Sequence, residues 1–315
     1  MKDGFSVPEN PTEAGTVLDS VGGAYQLQMD SGERVEASLR GKVKHGGGFV
    51  QRVVAGDRVL VATASPSGGY VIERVEPRKS ELVRAAPGGR GPKVVAANLD
   101  RIFVVFSLAE PAFDSRALDR FLVLAEFCGI PPVLVLNKLD LEGAAAIADS
   151  VSAIYESIGY PVIATSAQSG DGLDRLRRAF DVGVSALVGP SGVGKSSLMN
   201  ALFAGLELRT DVVTSRGGRG RHTTVGSRLI RVSDQGWVAD TPGFSDVTLW
   251  KAGADELPEM FPEFEGLSAG CRFSACTHSH EPECAVTKAV GEGQIRQERY
   301  DSYLALLSEC KSPTF

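Results

Sequence analysis

The run Gly189-Pro190-Ser191-Gly192-Val193-Gly194-Lys195-Ser196 has the residue spacing of a loop that cradles phosphates. Such a loop works in one local setting: a buried strand ahead of it, glycines that let backbone amides turn inward, and a helix whose N-terminus faces the anion. Ala186-Leu187-Val188 supplies the strand, and the stretch from Ser197 through Leu198, Met199, Asn200 and Ala201 to Leu202 supplies the helix. That setting commits the chain to an open α/β sheet. Yet Asn137-Lys138-Leu139-Asp140, the run able to read a guanine base, comes before the phosphate loop instead of after it. The inverted order predicts a complete GTP site on a circularly permuted chain.

Each candidate residue has a chemical role. Gly189, Pro190, Ser191, Gly192, Val193 and Gly194 shape the cradle, Lys195 reaches the β- and γ-phosphates as a catalytic group, Ser196 offers a hydroxyl to Mg²⁺, and Ser197 continues into the helix. In the Asn137, Lys138, Asp140 run, the Asp140 carboxylate can accept from the ring N–H and amino group of guanine. Adenine has no matching donors and would leave it unpaired. Thr165-Ser166-Ala167 also follows a strand, and the backbone at Ser166 and Ala167 can offer amides to the guanine oxygen. Asp240-Thr241-Pro242-Gly243 ends the Trp237–Ala239 run, so Asp240 is expected in the Mg²⁺ shell and Gly243 at the γ-phosphate.

Ser215-Arg216-Gly217-Gly218-Arg219-Gly220-Arg221-His222-Thr223-Thr224 reads as a switch segment in which Thr223 or Thr224 supplies a second hydroxyl to Mg²⁺. The sequence leaves both threonines open, and the same arginines suit contact with RNA phosphates. Phe244 stands where many GTPases carry a glutamine that orients the attacking water, so slow intrinsic hydrolysis is expected. His222 is the nearest substitute as a water-positioning group or base. Contact with RNA or solvent is the alternative for that histidine.

Around this centre lie two other segments. From Gly15 to about Glu76, apolar and polar residues alternate in short runs, Ala24–Met29, Arg34–Leu39, Arg58–Ala62 and Tyr70–Glu73, broken by turn signals such as Asp30-Ser31-Gly32. This predicts a small five-stranded OB-fold barrel, with a loop at Gly46-Gly47-Gly48. Residues 77–98, with Arg84, Gly88-Gly89-Arg90-Gly91-Pro92 and Lys93, read as a basic linker. Cys271-x4-Cys276-x-His278-x5-Cys284 offers three thiolates and an imidazole, a set suited to structural tetrahedral Zn²⁺, with His280 as a competing ligand. Cys128 and Cys310, in apolar helical surroundings, are expected in cores. Helical spacing from Gln294 puts Tyr300, Tyr303, Leu304 and Leu307 on one packing face.

The expected architecture is a multidomain α/β chain: an OB-fold β-barrel over 1–85 with a linker to about 98, a circularly permuted P-loop GTPase domain over 99–249, and a zinc-binding helical domain over 250–315. A net charge of −6 argues against coating nucleic acid by bulk electrostatics. The acidity is uneven, however: residues 1–90 carry 12 Lys+Arg against 11 Asp+Glu, so a local RNA-binding face remains open there. No apolar run approaches the roughly 18 residues of a membrane helix, and the start of the chain lacks a signal-peptide pattern, which together predict a cytoplasmic protein without membrane contact.

With these motifs assembled, the chain resembles the circularly permuted GTPases of small ribosomal subunit biogenesis, the RsgA family. The resemblance covers the barrel, the motif order, the Gly-Arg-His-Thr-Thr switch and the Cys-x4-Cys-x-His-x5-Cys knuckle. It implies an OB-fold that binds ribosomal RNA, GTP hydrolysis stimulated by the small subunit during late maturation, one structural zinc ion and a monomer. It further implies that His278 is the zinc ligand and that His222 is the catalytic histidine; Phe244 fits the same pattern. A different class of reading is an RNA-binding module in which GTP is a structural ligand that is not turned over.

Overall fold

The computed structural model of the chain describes residues 12–45, 48–49, 52–63, 69–85, 92–203, 227–241 and 253–311. Strands β1 (Glu13–Val21), β2 (Ala24–Met29), β3 (Arg34–His45), β4 (Gly48–Phe49), β5 (Arg58–Thr63) and β6 (Tyr70–Val75) follow one another. Five of them close on themselves: β1 pairs with β2 and β5, β2 with β3, β3 in parallel with β6, and β6 with β5. Closure removes the exposed edges that a small antiparallel sheet would otherwise present. The period-two pattern explains the interior, where Val17, Leu27, Val35, Val59, Val61 and Ile72 are buried together. This is the expected OB-like barrel, with β1 as its fifth strand. Of the glycine loop, Gly46 and Gly47 lie outside the described residues.

Part of the segment expected as a linker is itself a hairpin. β7 (Glu81–Ala85) and β8 (Pro92–Ala97) pair antiparallel, and Leu82 and Ala96 are fully buried. The hairpin is fastened to the barrel by a buried carboxylate. Asp57 accepts from the Val54 amide at 2.8 Å and from Arg78 at 2.7 and 2.9 Å, and Arg78 also donates to the Arg52 carbonyl at 2.9 Å. Gly56, at φ +90°, lets the two backbones touch, because a Cβ there would stand 1.9 Å from the Ala97 carbonyl oxygen.

The central sheet has the order β11-β10-β9-β12-β14-β13. Its strands are β9 (Arg101–Ser107), β10 (Pro132–Asn137), β11 (Val162–Ala164), β12 (Val182–Val188), β13 (Arg228–Arg231) and β14 (Gln235–Asp240). All neighbours run parallel except β13, which is antiparallel to β14. Both faces are covered, so the strands are continuously apolar. Ile102, Val104 and Phe106 pack on one side with α1 (Ser115–Phe127) and α2 (Ala144–Ser157). Phe103 and Val105 pack on the other with α3 (Leu173–Ala179) and α4 (Lys195–Leu202). Helix α1 starts where Asp114 accepts from the amides of Arg116 and Ala117 at 3.0 and 3.1 Å. Successive connections leave β9 and β12 in opposite directions, so the phosphate loop after β12 opens at the sheet's switch point.

Three short 3-10 turns (Leu257–Met260, Pro262–Phe264, Ser268–Gly270) lead to α5 (Ala285–Gly291) and α6 (Gln297–Lys311). Their core joins Phe261, Phe264, Val286, Tyr303 and Leu307 to Val123 of α1. The tyrosine and leucine stripe is indeed packing, although Leu304 is only partly buried. Cys128 is buried and Cys310 half-buried, and neither joins the group of Cys271, Cys276, His278 and Cys284.

The join between this lobe and the sheet rests on charge. Arg299 of α6, 2 % exposed, donates to Asp119 of α1 at 2.5 Å and to Glu263 at 2.7 and 3.1 Å, and Asp119 also accepts from Tyr155 of α2 at 2.7 Å. Burial opposes the guanidinium charge, but the two carboxylates outweigh it and hold Arg299 firmly protonated. Removing one member of such a set strands the others in the interior. Arg299→Ala is therefore expected to lose about 3–5 kcal/mol in urea unfolding monitored at the α6 tyrosines; a loss below about 1 kcal/mol would mean the pairs do not hold the lobe.

Candidate functional site

Four loops gather at the carboxyl end of the sheet, following β9, β10, β11 and β12. Asn137, the last residue of β10, is buried and joins three of them. Its amide donates to the Val193 carbonyl in the phosphate loop at 2.9 Å, and its carbonyl oxygen accepts from the Ala167 amide at 3.3 Å and the Thr165 hydroxyl at 3.4 Å. Gly194, at φ +96°, is required by this contact, since a Cβ there would lie 2.3 Å from the Asn137 amide nitrogen. Gly189 is required as strictly, because its Cβ would stand 2.1 Å from the Val105 carbonyl oxygen of β9. Two of the cradle glycines are thus set by neighbouring strands as well as by the phosphates they can serve.

Asp140 is exposed, and its carboxylate accepts from the Ser166 hydroxyl at 2.5 Å. The same Ser166 oxygen accepts from the Gln168 and Ser169 amides at 3.1 and 2.9 Å. Ser166 therefore orients Asp140 through its side chain, a role the sequence does not suggest for a residue expected to act through its backbone. Lys138, at φ +67°, donates to the Glu110 carbonyl in the loop after β9. Lys195 opens α4 and donates to the Gly189 and Pro190 carbonyls at 2.6 and 2.8 Å. Ser191, Gly192, Ser196 and Ser197 are exposed around it, while Val193 is buried against α4.

Asp240 ends β14, and across the antiparallel pair Arg228 of β13 brings its Nε to 3.6 Å from the Asp240 carboxylate. Asp240 ends β14 and Ser196 lies in the first turn of α4, beyond the loop that follows the paired strand β12; they are a hydroxyl and a carboxylate of the hard-oxygen kind that suits Mg²⁺. His222, Thr223, Thr224, Gly243 and Phe244 lie outside the described residues.

The second constellation is in the C-terminal lobe. One ligand atom from each of Cys271, Cys276, His278 and Cys284 falls within 4.8 Å of all the others. The sulfurs of Cys271 and Cys284 are 3.9 Å apart and lie 3.5 and 3.4 Å from His278 Nδ1. A tetrahedral Zn²⁺ with ordinary bond lengths needs separations of about 3.8 Å between sulfurs and about 3.6 Å from sulfur to nitrogen, so the residues fit the ion. Supporting contacts fix the imidazole. His278 Nε2 meets the Ser268 hydroxyl at 3.3 Å, which leaves Nδ1 as the ligand, and Tyr300 donates to the His278 carbonyl at 2.8 Å. Burial also holds His278 below the ordinary imidazole pKa and keeps it neutral. His280 is exposed and bonds to Ser279 at 2.8 Å, outside the cluster.

Residues 75–250 match the RsgA GTPase family. Two similar proteins, both described as small ribosomal subunit biogenesis GTPase RsgA, come from Gemmatimonas aurantiaca and Moorella thermoacetica. The first is 46% identical over 301 residues, 94% of this chain and 96% of that protein; the second is 42% identical over 297 residues, with 94% and 96% covered. Among solved structures, YjeQ from Thermotoga maritima superposes with a TM-score of 0.80 at 32% identity, over 96% of this chain and all of that one (100%). YloQ, described as a circularly permuted GTPase, gives 0.77 at 29% identity, over 99% and 100%. The chain belongs to the RsgA GTPase family.

Structural thiolate–imidazole sites contribute on the order of 10 kcal/mol to folding at neutral pH. Cys284→Ser is accordingly expected to abolish metal content in elemental analysis and to strip hydrogen-exchange protection from α5 and α6 while β9 to β12 stay protected. Unchanged protection in α5 and α6 would show that the cluster is dispensable for the fold.

Proposed function

We propose that the chain binds the small ribosomal subunit and acts in its late maturation, hydrolysing GTP to GDP and phosphate with stimulation by that subunit. The observation that carries the nucleotide half of this reading is Asn137, which bonds both the phosphate loop and the Thr165-Ser166-Ala167 loop. The subunit half rests on the relatives of nearly full length that carry that description.

In this reading the backbone N–H groups of the Gly189–Gly194 loop, Pro190 having none, cradle the phosphates, Lys195 neutralises the β- and γ-oxygens, and Ser197 lies in the helix turn behind them. Mg²⁺, when bound, supplies charge neutralisation at the β- and γ-phosphates. Ser196, Asp240 and Thr223 or Thr224 would hold that ion, and Gly243 would register the γ-phosphate. Asp140, steadied by Ser166, selects guanine, with Lys138 and the Ala167 amide at the same base. His222 orients or deprotonates the attacking water once the subunit orders its segment, since Phe244 cannot. Cys271, Cys276, His278 and Cys284 would hold one structural Zn²⁺.

The working division is an RNA-binding barrel over 1–85 with its connection to about 98, a GTPase unit over 99–249 and a zinc lobe over 250–315. No described helix is long and apolar enough to cross a membrane. The protein would act as a monomer in the cytoplasm, with ribosomal RNA as its contact.

Two measurements test this. Phosphate release is expected to be slow alone, to rise strongly with small ribosomal subunits and not with large ones; His222→Ala should lose the stimulated rate while keeping GTP affinity. Equal slow rates in every condition would instead favour a binding module with GTP as a structural ligand. Asp140→Asn replaces an acceptor by an amide that clashes with two guanine donors. Losing two charge-assisted hydrogen bonds at about 1.5–3 kcal/mol each should weaken GTP about 10²–10⁴-fold, while the new amide donor suits xanthine, so xanthosine triphosphate should bind better than to wild type.

A further inference from the structure

Of the four residues in the cysteine cluster, His278 is the one whose backbone needs outside support. Cys271 and Cys284 sit in ordinary extended backbone, at φ −74° and −80°. His278 turns at φ +52°, in the left-handed region that a residue with a side chain holds only where its surroundings enforce it. That turn accompanies the approach of Nδ1 to 3.5 and 3.4 Å from the sulfurs of Cys271 and Cys284, while His280, two residues on, stays in solvent. Something in the loop must therefore hold a backbone that His278 does not favour.

We propose that Glu281 is the positioning residue of this metal centre, its carboxylate gathering the loop so that His278 Nδ1 is presented to Zn²⁺. The half-buried Glu281 spends both oxygens on the loop. Oε1 accepts from the Thr277 amide at 2.9 Å and the Thr277 hydroxyl at 2.7 Å; Oε2 accepts from the amides of Ser279 and His280 at 3.1 and 3.2 Å. All four partners are donors, which suits an ionised carboxylate with acceptors alone; a glutamine would turn its NH₂ toward two of them whichever way it lay. The carbonyls of the same turn are taken from the other side. Tyr303 of α6 donates to the Thr277 carbonyl at 2.6 Å and Tyr300 to that of His278 at 2.8 Å. Donors on both sides of His278 thus belong to Glu281 and acceptors to α6, which fixes the turn before any ion arrives. A ligand held in place beforehand loses less freedom on binding, so the clamp raises metal affinity without touching the ion. Glu281 is outside the set of four residues whose ligand atoms converge. This inference rests on the reading that those four hold Zn²⁺ and assigns the residue that sets how tightly.

The test measures Zn²⁺ affinity of the full chain by competition with a chromophoric chelator at one pH, for wild type, Glu281→Gln, His278→Ala and the double variant. Glu281→Gln is expected to weaken Zn²⁺ about 10–100-fold, as loss of a group that orients a ligand does. In the His278→Ala background the same change should cost less than about threefold, because no imidazole is left to orient. A loss caused by missing negative charge near the ion, or by a loosened lobe, would persist there. An undiminished loss in that background would overturn the proposal, as would unchanged affinity of Glu281→Gln alone.

Two further measurements cover variants that do not load. If His278→Ala takes up no metal, the absorption of Glu281→Gln saturated with Co²⁺ decides: thiolate charge transfer retained with altered d–d bands is expected, and a spectrum identical to wild type would overturn the clamp. If Glu281→Gln takes up none, Thr277→Val removes one of the four bonds and keeps the charge; weaker Zn²⁺ binding is expected, and unchanged affinity would overturn the clamp. Failure of wild type itself to take up Zn²⁺ would defeat the reading of the cluster as a metal centre and this inference with it, whereas the other negative outcomes leave that reading intact.

Discussion

The buried amide of Asn137 is the constraint around which the nucleotide site is arranged. It hydrogen-bonds the Val193 carbonyl on one side and the Ala167 amide on the other, so the loops after β10, β11 and β12 are tied through one side chain. Its environment is full: Gly194 has no room for a Cβ beside it, and the Thr165 hydroxyl completes its oxygen. A buried amide left without these partners would cost about 1–3 kcal/mol for each group. Spatial adjacency of β9, β10 and β12 is therefore what the site needs, and chain order is not. The connection from α3 to β12 spans only Phe180 and Asp181, which suffices to bring the half that carries Asn137 and Thr165–Ala167 in first and the half that carries Gly189–Ser196 second.

Two polar clusters extend this rigidity outward. At the amino end, Asp57 fastens the barrel loop to Arg78 and so to the β7–β8 hairpin, whose buried Leu82 and Ala96 belong to the same apolar cluster as Ile102 of β9. At the other end, Arg299 joins the cysteine-bearing lobe to α1 through Asp119. Buried ion pairs are an inefficient way to gain stability, since desolvation offsets most of the attraction. What they do well is punish misplacement. A lobe shifted by one helical turn would carry Arg299 and its partner Glu263 away from α1 and leave the buried Asp119 without a counterion.

Much of this was legible in the sequence because it is written locally. Period two in Arg58–Ala62, continuous apolar runs such as Phe103 to Phe106, and the glycines of the phosphate loop each carry their structure within a few residues. The cysteine spacing likewise announced its tetrahedral set, but the choice between His278 and His280 needed the backbone, which turns at His278 with φ +52° and leaves His280 in solvent. Less was legible where meaning depends on distant partners. Residues 77–98 read as a basic linker because Arg84, Lys93 and the glycines dominate their composition, while the strand signal sits in pairs as short as Leu82-Val83 and Val94-Val95. Arg299 and Asp119 are 180 residues apart, and nothing near either one marks it as buried. The side-chain role of Ser166 is similarly invisible until Asp140 is beside it.

The permutation has a mechanical consequence. In this chain the strand that ends in Asp240 comes last in sequence among the described strands of the sheet, and the cysteine-bearing lobe follows it. The strand is held by the pairing of β14 with β12 and by Arg228 at Asp240. The lobe is held because it is clamped to α1 by Arg299, and α1 packs on the same sheet. Both are thus held against one framework, the sheet, and displacing the lobe from it must break contacts worth several kcal/mol at the α1–α6 seam. The buried charges at Arg299 therefore fix where the lobe stands relative to α1 and to the sheet on which α1 packs.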